Sequence, residues 1–159
     1  MEIRTMKPGD WNEVSKIYLE GIQTKLATFQ SEIPSYELWD AGHLPFGRLV
    51  AVENQSILGW AALSAYSSRC VYSGVAELSV YVRANSKGKG VGTAILTRLV
   101  EVATENNIWT LQAGVIRENI PSRQLHIKCG FREVGYRERL GQMDNGNWHD
   151  VFLYERRQE

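Results

Sequence analysis

The run Ser86-Lys87-Gly88-Lys89-Gly90-Val91-Gly92-Thr93 sets three glycines at alternate positions among two lysines. Glycine lacks a Cβ, so the backbone there can lie close to a ligand with its N–H groups turned outward. The run opens a stripe of helical period, Val91, Ala94, Ile95, Leu99, Val102 and Ala103. Its N–H groups therefore sit at a helix N-terminus, whose dipole favours an anion, and Lys87 and Lys89 add positive charge at the same place. That is chemistry for a phosphate, and turn geometry alone would not call for it. Two common phosphate signatures fail. G-x-x-x-x-G-K-[ST] read from Gly88 needs glycine and lysine where Thr93 and Ala94 stand, and G-x-G-x-x-G needs glycine at Thr93 or Ile95. One strand earlier, Val75 to Val82 puts Leu78, Val80 and Val82 on one face and Glu77, Ser79 and Tyr81 on the other, so a carboxylate sits inside an otherwise apolar strand.

The elements that must position these groups alternate in type, which predicts one mixed α/β unit over residues 1–159. Glu2 to Thr5 reads as a strand. Asp10 with Glu13 reads as a capping box that opens a helix through Trp11, Val14, Ile17, Tyr18 and Ile22. Residues 24–47, with Pro34 and Pro45, read as a loop and short helix, either a pocket cover or plain surface packing. Arg48 to Glu53 and Ile57 to Ala65 form a hairpin. The glycine-turn helix ends near Asn106-Asn107, Trp109 to Ile116 is a strand, and Pro121 to Lys128 is a helix stopped by Gly130. Phe131 to Arg139 and Val151 to Glu155 are strands flanking the turn at Asp144-Asn145-Gly146-Asn147.

Composition narrows the function. Eighteen Lys plus Arg balance eighteen Asp plus Glu, which excludes a general nucleic-acid or membrane-surface binder, since those need a large cationic excess. A neutral protein must hold an anion by a local device such as the glycine turn. The charged start, with Glu2, Arg4 and Lys7, is no secretory signal, and no apolar run is long enough to span a bilayer. Cys70 and Cys129 form no C-x-x-C or metal-spaced cluster, so no metal site is expected and both read as packing residues in a reducing cytoplasm.

Val80-Tyr81-Val82, then Lys87-Gly88-Lys89-Gly90-Val91-Gly92 and Leu96, resembles the acetyl-CoA pyrophosphate motif of the GCN5-related N-acetyltransferases, [RQ]-x-x-G-x-[GA], with Lys87 in place of Arg or Gln. Asn119-Ile120-Pro121-Ser122-Arg123-Gln124-Leu125-His126-Ile127-Lys128-Cys129-Gly130-Phe131 is similar to the family's later N-x-x-[AS]-x-x-[LF]-Y-x-x-x-G-F segment, with His126 for the usual tyrosine. Ala76 to Val82, His126 and Gly146-Asn147-Trp148-His149-Asp150-Val151 resemble the phosphinothricin and methionine-sulfoximine acetyltransferase branch, as do, more loosely, Ala27 to Glu32 and Trp39. The resemblance implies a mixed, mostly antiparallel sheet of about six or seven strands, flanked by about four helices and splayed at its central acetyl-CoA-binding strands. It further implies a homodimer, no metal, and transfer of an acetyl group to a small amino-acid-like amine.

Such a transfer needs a neutral amine, a polarised carbonyl as the tetrahedral intermediate forms, and help for the departing thiolate. Glu77 is the candidate base, with partial burial expected to raise its pKa; otherwise it pairs with an arginine or orients the amine by charge. In the family's geometry the residue at His126 points at the thioester sulfur, where an imidazole serves as acid or hydrogen-bond donor; otherwise it packs or anchors its helix. Cofactor contacts are expected from Val80, Tyr81, Val82, Lys87 to Thr93 (Gly88, Lys89, Gly90, Val91 and Gly92 between them) and from Asn119, whose amide would bond the pantetheine. Substrate contacts are expected from Phe29, Ser67, Ser68, Arg69, Tyr72, Leu78 and Ser79. Arg69 is either a bidentate carboxylate partner or a solvated loop residue. Competing functions are a protein or peptide N-acetyltransferase and a CoA-binding module without catalysis.

Overall fold

The computed structural model describes residues 1–158. Its elements run β1 (Glu2–Thr5), α1 (Trp11–Gln23), α2 (Tyr36–Ala41), β2 (Leu49–Glu53), β3 (Ser56–Ala65), β4 (Val75–Val82), α3 (Val91–Glu105), β5 (Thr110–Ile116), α4 (Ile120–Lys128), β6 (Arg132–Gln142) and β7 (Trp148–Arg157). All seven strands join one sheet in the order β1-β2-β3-β4-β5-β7-β6. Every neighbouring pair is antiparallel except β4 and β5, which run parallel. The expected mixed, mostly antiparallel architecture is what the chain adopts.

Alternation along the strands divides the core in two. On one face Leu78, Leu111, Ala113 and Tyr154 pack under Ile95, Leu96 and Leu99 of α3. On the other, Trp60, Ala62 and Tyr81 meet Val14, Ile17 and Tyr18 of α1 and Trp39 of α2. Ile95 and Leu99 are fully buried, and each such side chain contributes about 1.5–3 kcal/mol. The β2–β3 hairpin turns on Asn54 and Gln55, both at positive φ (50° and 68°), the backbone a two-residue I′ turn requires.

The capping box expected at Asp10 and Glu13 does not form. A 3-10 turn over Pro8–Asp10 precedes α1, so Asp10 already has helical dihedrals, φ −79° and ψ −14°. Its carboxylate turns back to accept from the Lys7 N–H and the Arg4 guanidinium, both at 2.8 Å. Glu13 goes to Arg83 at 3.0 Å and Lys16 at 3.2 Å. β6 and β7 run past the expected ends, because their hairpin pairs polar residues such as Gln142 with Trp148 that carry no apolar alternation.

The parallel ladder is short. It pairs Val75 with Thr110, Ala76 with Leu111 and Glu77 with Gln112, and then stops. Leu78 to Val82 have no ladder to Ala113–Ile116, so a crevice opens at the carboxyl ends of the two parallel strands, the usual ligand position in such sheets. Both strands lead into helices, α3 and α4, whose N-termini border it. Among the described residues no helix is long and apolar enough to cross a membrane, and no group of His, Cys, Asp and Glu is placed to hold a metal.

Candidate active site

Gly88 and Gly90 have φ of +78° and +82°, and a Cβ built on either would meet nothing within 4 Å. Gly90 is the N-cap of α3, and no side chain caps the helix. The turn is thus a concave strip of backbone whose first-turn N–H groups are open to a ligand. Lys87 and Lys89 lie exposed on its rim, Thr93 is half-buried in the first turn of α3, and Val91 is buried as its anchor. Gly92 marks a close approach: its Cβ would lie 3.2 Å from the end of the Leu125 side chain of α4 and 3.5 Å from Val82 of β4. The end of β4, the start of α3 and Leu125 of α4 therefore converge where the crevice begins. This cradle, with its open helix N-terminus and its gap between strands, fits a pyrophosphate joined to a slender amide-bearing arm, as in acetyl-CoA. A cavity of about 860 Å³ lies on the other side of the turn against the β2–β3 hairpin; it shares Lys89 and Val91 with the turn and includes neither Glu77 nor His126.

Glu77 stands on the last rung before the strands part, on the face that α1 shares. It is exposed, so the partial burial expected from its apolar strand is absent. The reason is that among the described residues no helix covers the sheet over β5 and β7 on that face: α1 and α2 pack over β2 to β4, and α4 meets Tyr154 from the α3 side. Its Oε2 accepts a hydrogen bond from Gln112 Nε2 at 3.2 Å. Ser79, half-buried, is next on the same face, followed by Tyr81, whose ring lies between Tyr18 and Trp60 at 5.0 and 4.9 Å. Burial pushes the Tyr81 hydroxyl far above its ordinary pKa. Leu78 was expected to touch substrate, but its side chain is buried on the α3 face. Val80 and Val82 also turn their side chains to that core, so their contribution to the crevice is backbone.

The segment 24–35 is a strap that ties α1 to the far side of the gap. Gln30 accepts from Tyr18 of α1 at 2.9 Å. Phe29 packs with Ile116, Met143 and Val151 beyond the gap. Gly141 makes room for it, since a Cβ there would fall 2.7 Å from the ring. Lys25 pairs with Asp144 at 2.7 Å. Phe29, expected in a substrate pocket, is thus a packing anchor of this strap.

Asn119 was expected to meet the pantetheine. Instead its Oδ1 accepts from Ser122 N at 3.4 Å, capping α4, and its Nδ2 donates to Leu26 O of the strap at 3.2 Å. His126 is buried on the sheet side of α4, stacked on Tyr154 and edge-on to Phe131 at 5.3 Å. Its Nδ1 lies 2.7 Å from the Ser122 carbonyl. A carbonyl only accepts, so Nδ1 carries the proton, and burial lowers the imidazole pKa and keeps it neutral. Nε2 then holds a lone pair, buried and without a partner. At rest His126 offers an acceptor where a donor was expected.

Ser67, Ser68, Arg69 and Tyr72 lie on the β3–β4 connection. Arg69 is exposed, with its guanidinium 5.6 Å over the Tyr72 ring, and Tyr72 meets Tyr66 edge-on. The Arg69 N–H is fixed by Ser67 Oγ at 3.1 Å. His149 and Asp150 face apart, His149 to Glu118 and Asp150 to Arg117 and Arg139 N, as expected of neighbours on a strand. Cys70, expected to pack, is exposed, while Cys129 is partly buried. The residue that reading the sequence missed is Gln112. Its signal was present: Leu111, Ala113 and Val115 face the core, which leaves Gln112 on the face of Glu77.

Residues 11–131 match the model of the acetyltransferase (GNAT) family. The chain belongs to that family. It is 29% identical to the phosphinothricin N-acetyltransferase of Alcaligenes faecalis, over 97% of this chain and 81% of that one. A GNAT superfamily phosphinothricin acetyltransferase from Sinorhizobium meliloti, solved with acetyl-CoA, superposes with a TM-score of 0.91 at 26% identity, covering 99% of this chain and 88% of that one. A ribosomal-protein-alanine N-acetyltransferase from Brucella melitensis superposes at 0.89 with 28% identity over 99% of both chains. This GNAT chain is therefore an acetyltransferase.

Proposed function

We propose that the enzyme transfers the acetyl group of acetyl-CoA to the amino group of a small amino-acid-like acceptor, of the phosphinothricin or methionine sulfoximine type. The observation that carries the reading is the end of the β4–β5 ladder at Glu77: a carboxylate stands at the opening of the crevice, on the face away from α3. The name of the Alcaligenes faecalis relative supports the acceptor class.

Gly88 to Thr93 bind the pyrophosphate through the backbone, with Lys87 and Lys89 as counter-charges. The unpaired edge of Val80 to Val82 holds the arm that brings the thioester to the crevice. Glu77 takes a proton from the incoming ammonium group, directly or through water; the neutral nitrogen forms the C–N bond, the C–S bond breaks to a thiolate, and the surplus proton left on the nitrogen passes to that thiolate, giving the thiol. His126 presents a lone pair, so it can protonate the leaving sulfur only after taking up a proton itself. The thiolate is a fair leaving group without that help. Arg69, already held over Tyr72, pairs with the acceptor carboxylate. A homodimer is part of this proposal and is checked by light scattering.

The open face beyond β5 admits a second acceptor, a protein or peptide N-terminus, in line with the name of the Brucella melitensis neighbour. The test is a screen for CoASH release with free amino acids, phosphinothricin, methionine sulfoximine, and peptides beginning with alanine. Faster turnover of an amino acid supports the first reading; faster turnover of a peptide replaces it with the second. Glu77→Gln should lower kcat by roughly 10², the usual scale of general-base catalysis, with the acetyl-CoA KM nearly unchanged.

A further inference from the structure

The cross-strand geometry carries an inference about Gln112, and it rests on the general-base reading of Glu77. We propose that Gln112 is the positioning residue for the Glu77 carboxylate. The two are 35 residues apart in sequence, yet they are direct partners on the last rung of the parallel ladder. The Gln112 amide nitrogen donates to Glu77 Oε2 at 3.2 Å. The amide orientation follows from chemistry, because turning its oxygen toward the carboxylate would set two acceptors against each other.

An exposed glutamate on a strand samples several rotamers, and general-base catalysis needs one of them. No helix packs over Glu77 from the β5 side to make that choice. Gln112 makes it, engaging Oε2 and leaving Oε1 for the amine proton. Gln112 is itself placed by the register: on its other side it opposes Glu155 of β7, which is ion-paired to Arg132 of β6 at 2.7 Å. Glu77, Gln112, Glu155 and Arg132 form one polar row across four strands. Leu111 and Ala113 hold the β5 backbone from the core beneath. Because Gln112 acts through another residue, its removal slows the proton transfer without weakening acetyl-CoA binding.

The test is a double-mutant cycle of Gln112→Met, which keeps the length and loses the donor, with Glu77→Gln, read as kcat and acetyl-CoA KM by CoASH release. Gln112→Met alone should lower kcat about tenfold with the acetyl-CoA KM and Tm near wild type, the scale of one hydrogen bond to a charged group. In the Glu77→Gln background the same change should have no further effect. If Gln112→Met keeps wild-type kcat while Glu77→Gln is slow, the positioning role is wrong and the base reading stands. If Gln112→Met costs tenfold in both backgrounds, Gln112 acts by another route and the proposal is overturned. If Glu77→Gln itself turns over normally, the base reading falls and takes this proposal with it.

Discussion

The Nδ1 of His126 lies 2.7 Å from the carbonyl oxygen of Ser122, one turn earlier on α4, and this contact fixes which ring nitrogen carries the proton. Burial then holds the imidazole below its ordinary pKa of 6.5, so the folded chain keeps His126 neutral at a pH where the unfolded chain protonates it. His43, half-buried on Trp39, is lowered for the same reason. The unfolded state binds more protons below about pH 6.5, so this part of the stability is complete above that pH and is lost as pH falls toward the folded values. Thermal unfolding between pH 8 and 5 should show Tm dropping below pH 6.5, and His126→Gln should flatten the drop. An equally steep drop in that variant would assign the pH dependence to other groups.

Gly90 sits at φ +82° with open space above its Cα. A side chain there strains the backbone by about 1 kcal/mol and projects into the cradle. Gly90→Val is expected to fold with a slightly lower Tm and to lose most of the Tm increase that acetyl-CoA gives the wild type, as binding to the native state alone requires. An undiminished shift in a melting titration would place the pyrophosphate elsewhere.

Phe29→Ala empties the space between Ile116, Met143 and Val151. Phe29 is only partly buried, so the loss should fall at or below the low end of the range for a buried aromatic, about 2–3 kcal/mol. The strap lies on the Glu77 face of the sheet, which the proposed mechanism gives to the acceptor, so the KM for the amine should rise more than that for acetyl-CoA. Denaturant melts and two-substrate kinetics measure the two effects separately; a rise confined to acetyl-CoA would put the strap on the cofactor side.

Arg69→Ala tests the acceptor class. One charge-assisted bidentate contact contributes about 1.5–3 kcal/mol, so the wild type should prefer a free amino acid over its amide by roughly tenfold to a hundredfold in kcat/KM. The variant should lose that preference while its rate with the amide stays near wild type. If the preference survives in Arg69→Ala, another cation holds the carboxylate.

The local devices were legible in the sequence because neighbours in the chain make them. Alternate glycines before an apolar helical stripe must put open N–H groups at a helix start, and the β4 alternation must turn Glu77 away from Leu78 and Val80 whatever lies beyond. The outcomes that only tertiary structure decided depend on register, on where the helices pack or on competition for one polar group. Asp10 had two ways to satisfy its carboxylate, and the 3-10 turn before it selected Lys7 and Arg4 over the expected box. Asn119 had an amide to spend on a ligand, and the strap and the α4 cap took it. His126 was expected to donate, and the Ser122 carbonyl one turn back accepts the hydrogen bond from its Nδ1, which leaves Nε2 an acceptor. Glu77 is exposed because no described helix covers its face of the sheet over β5 and β7, and Gln112 stands beside it because of the β4–β5 register. That register is set by pairing between residues 35 apart in the chain, which no local pattern encodes.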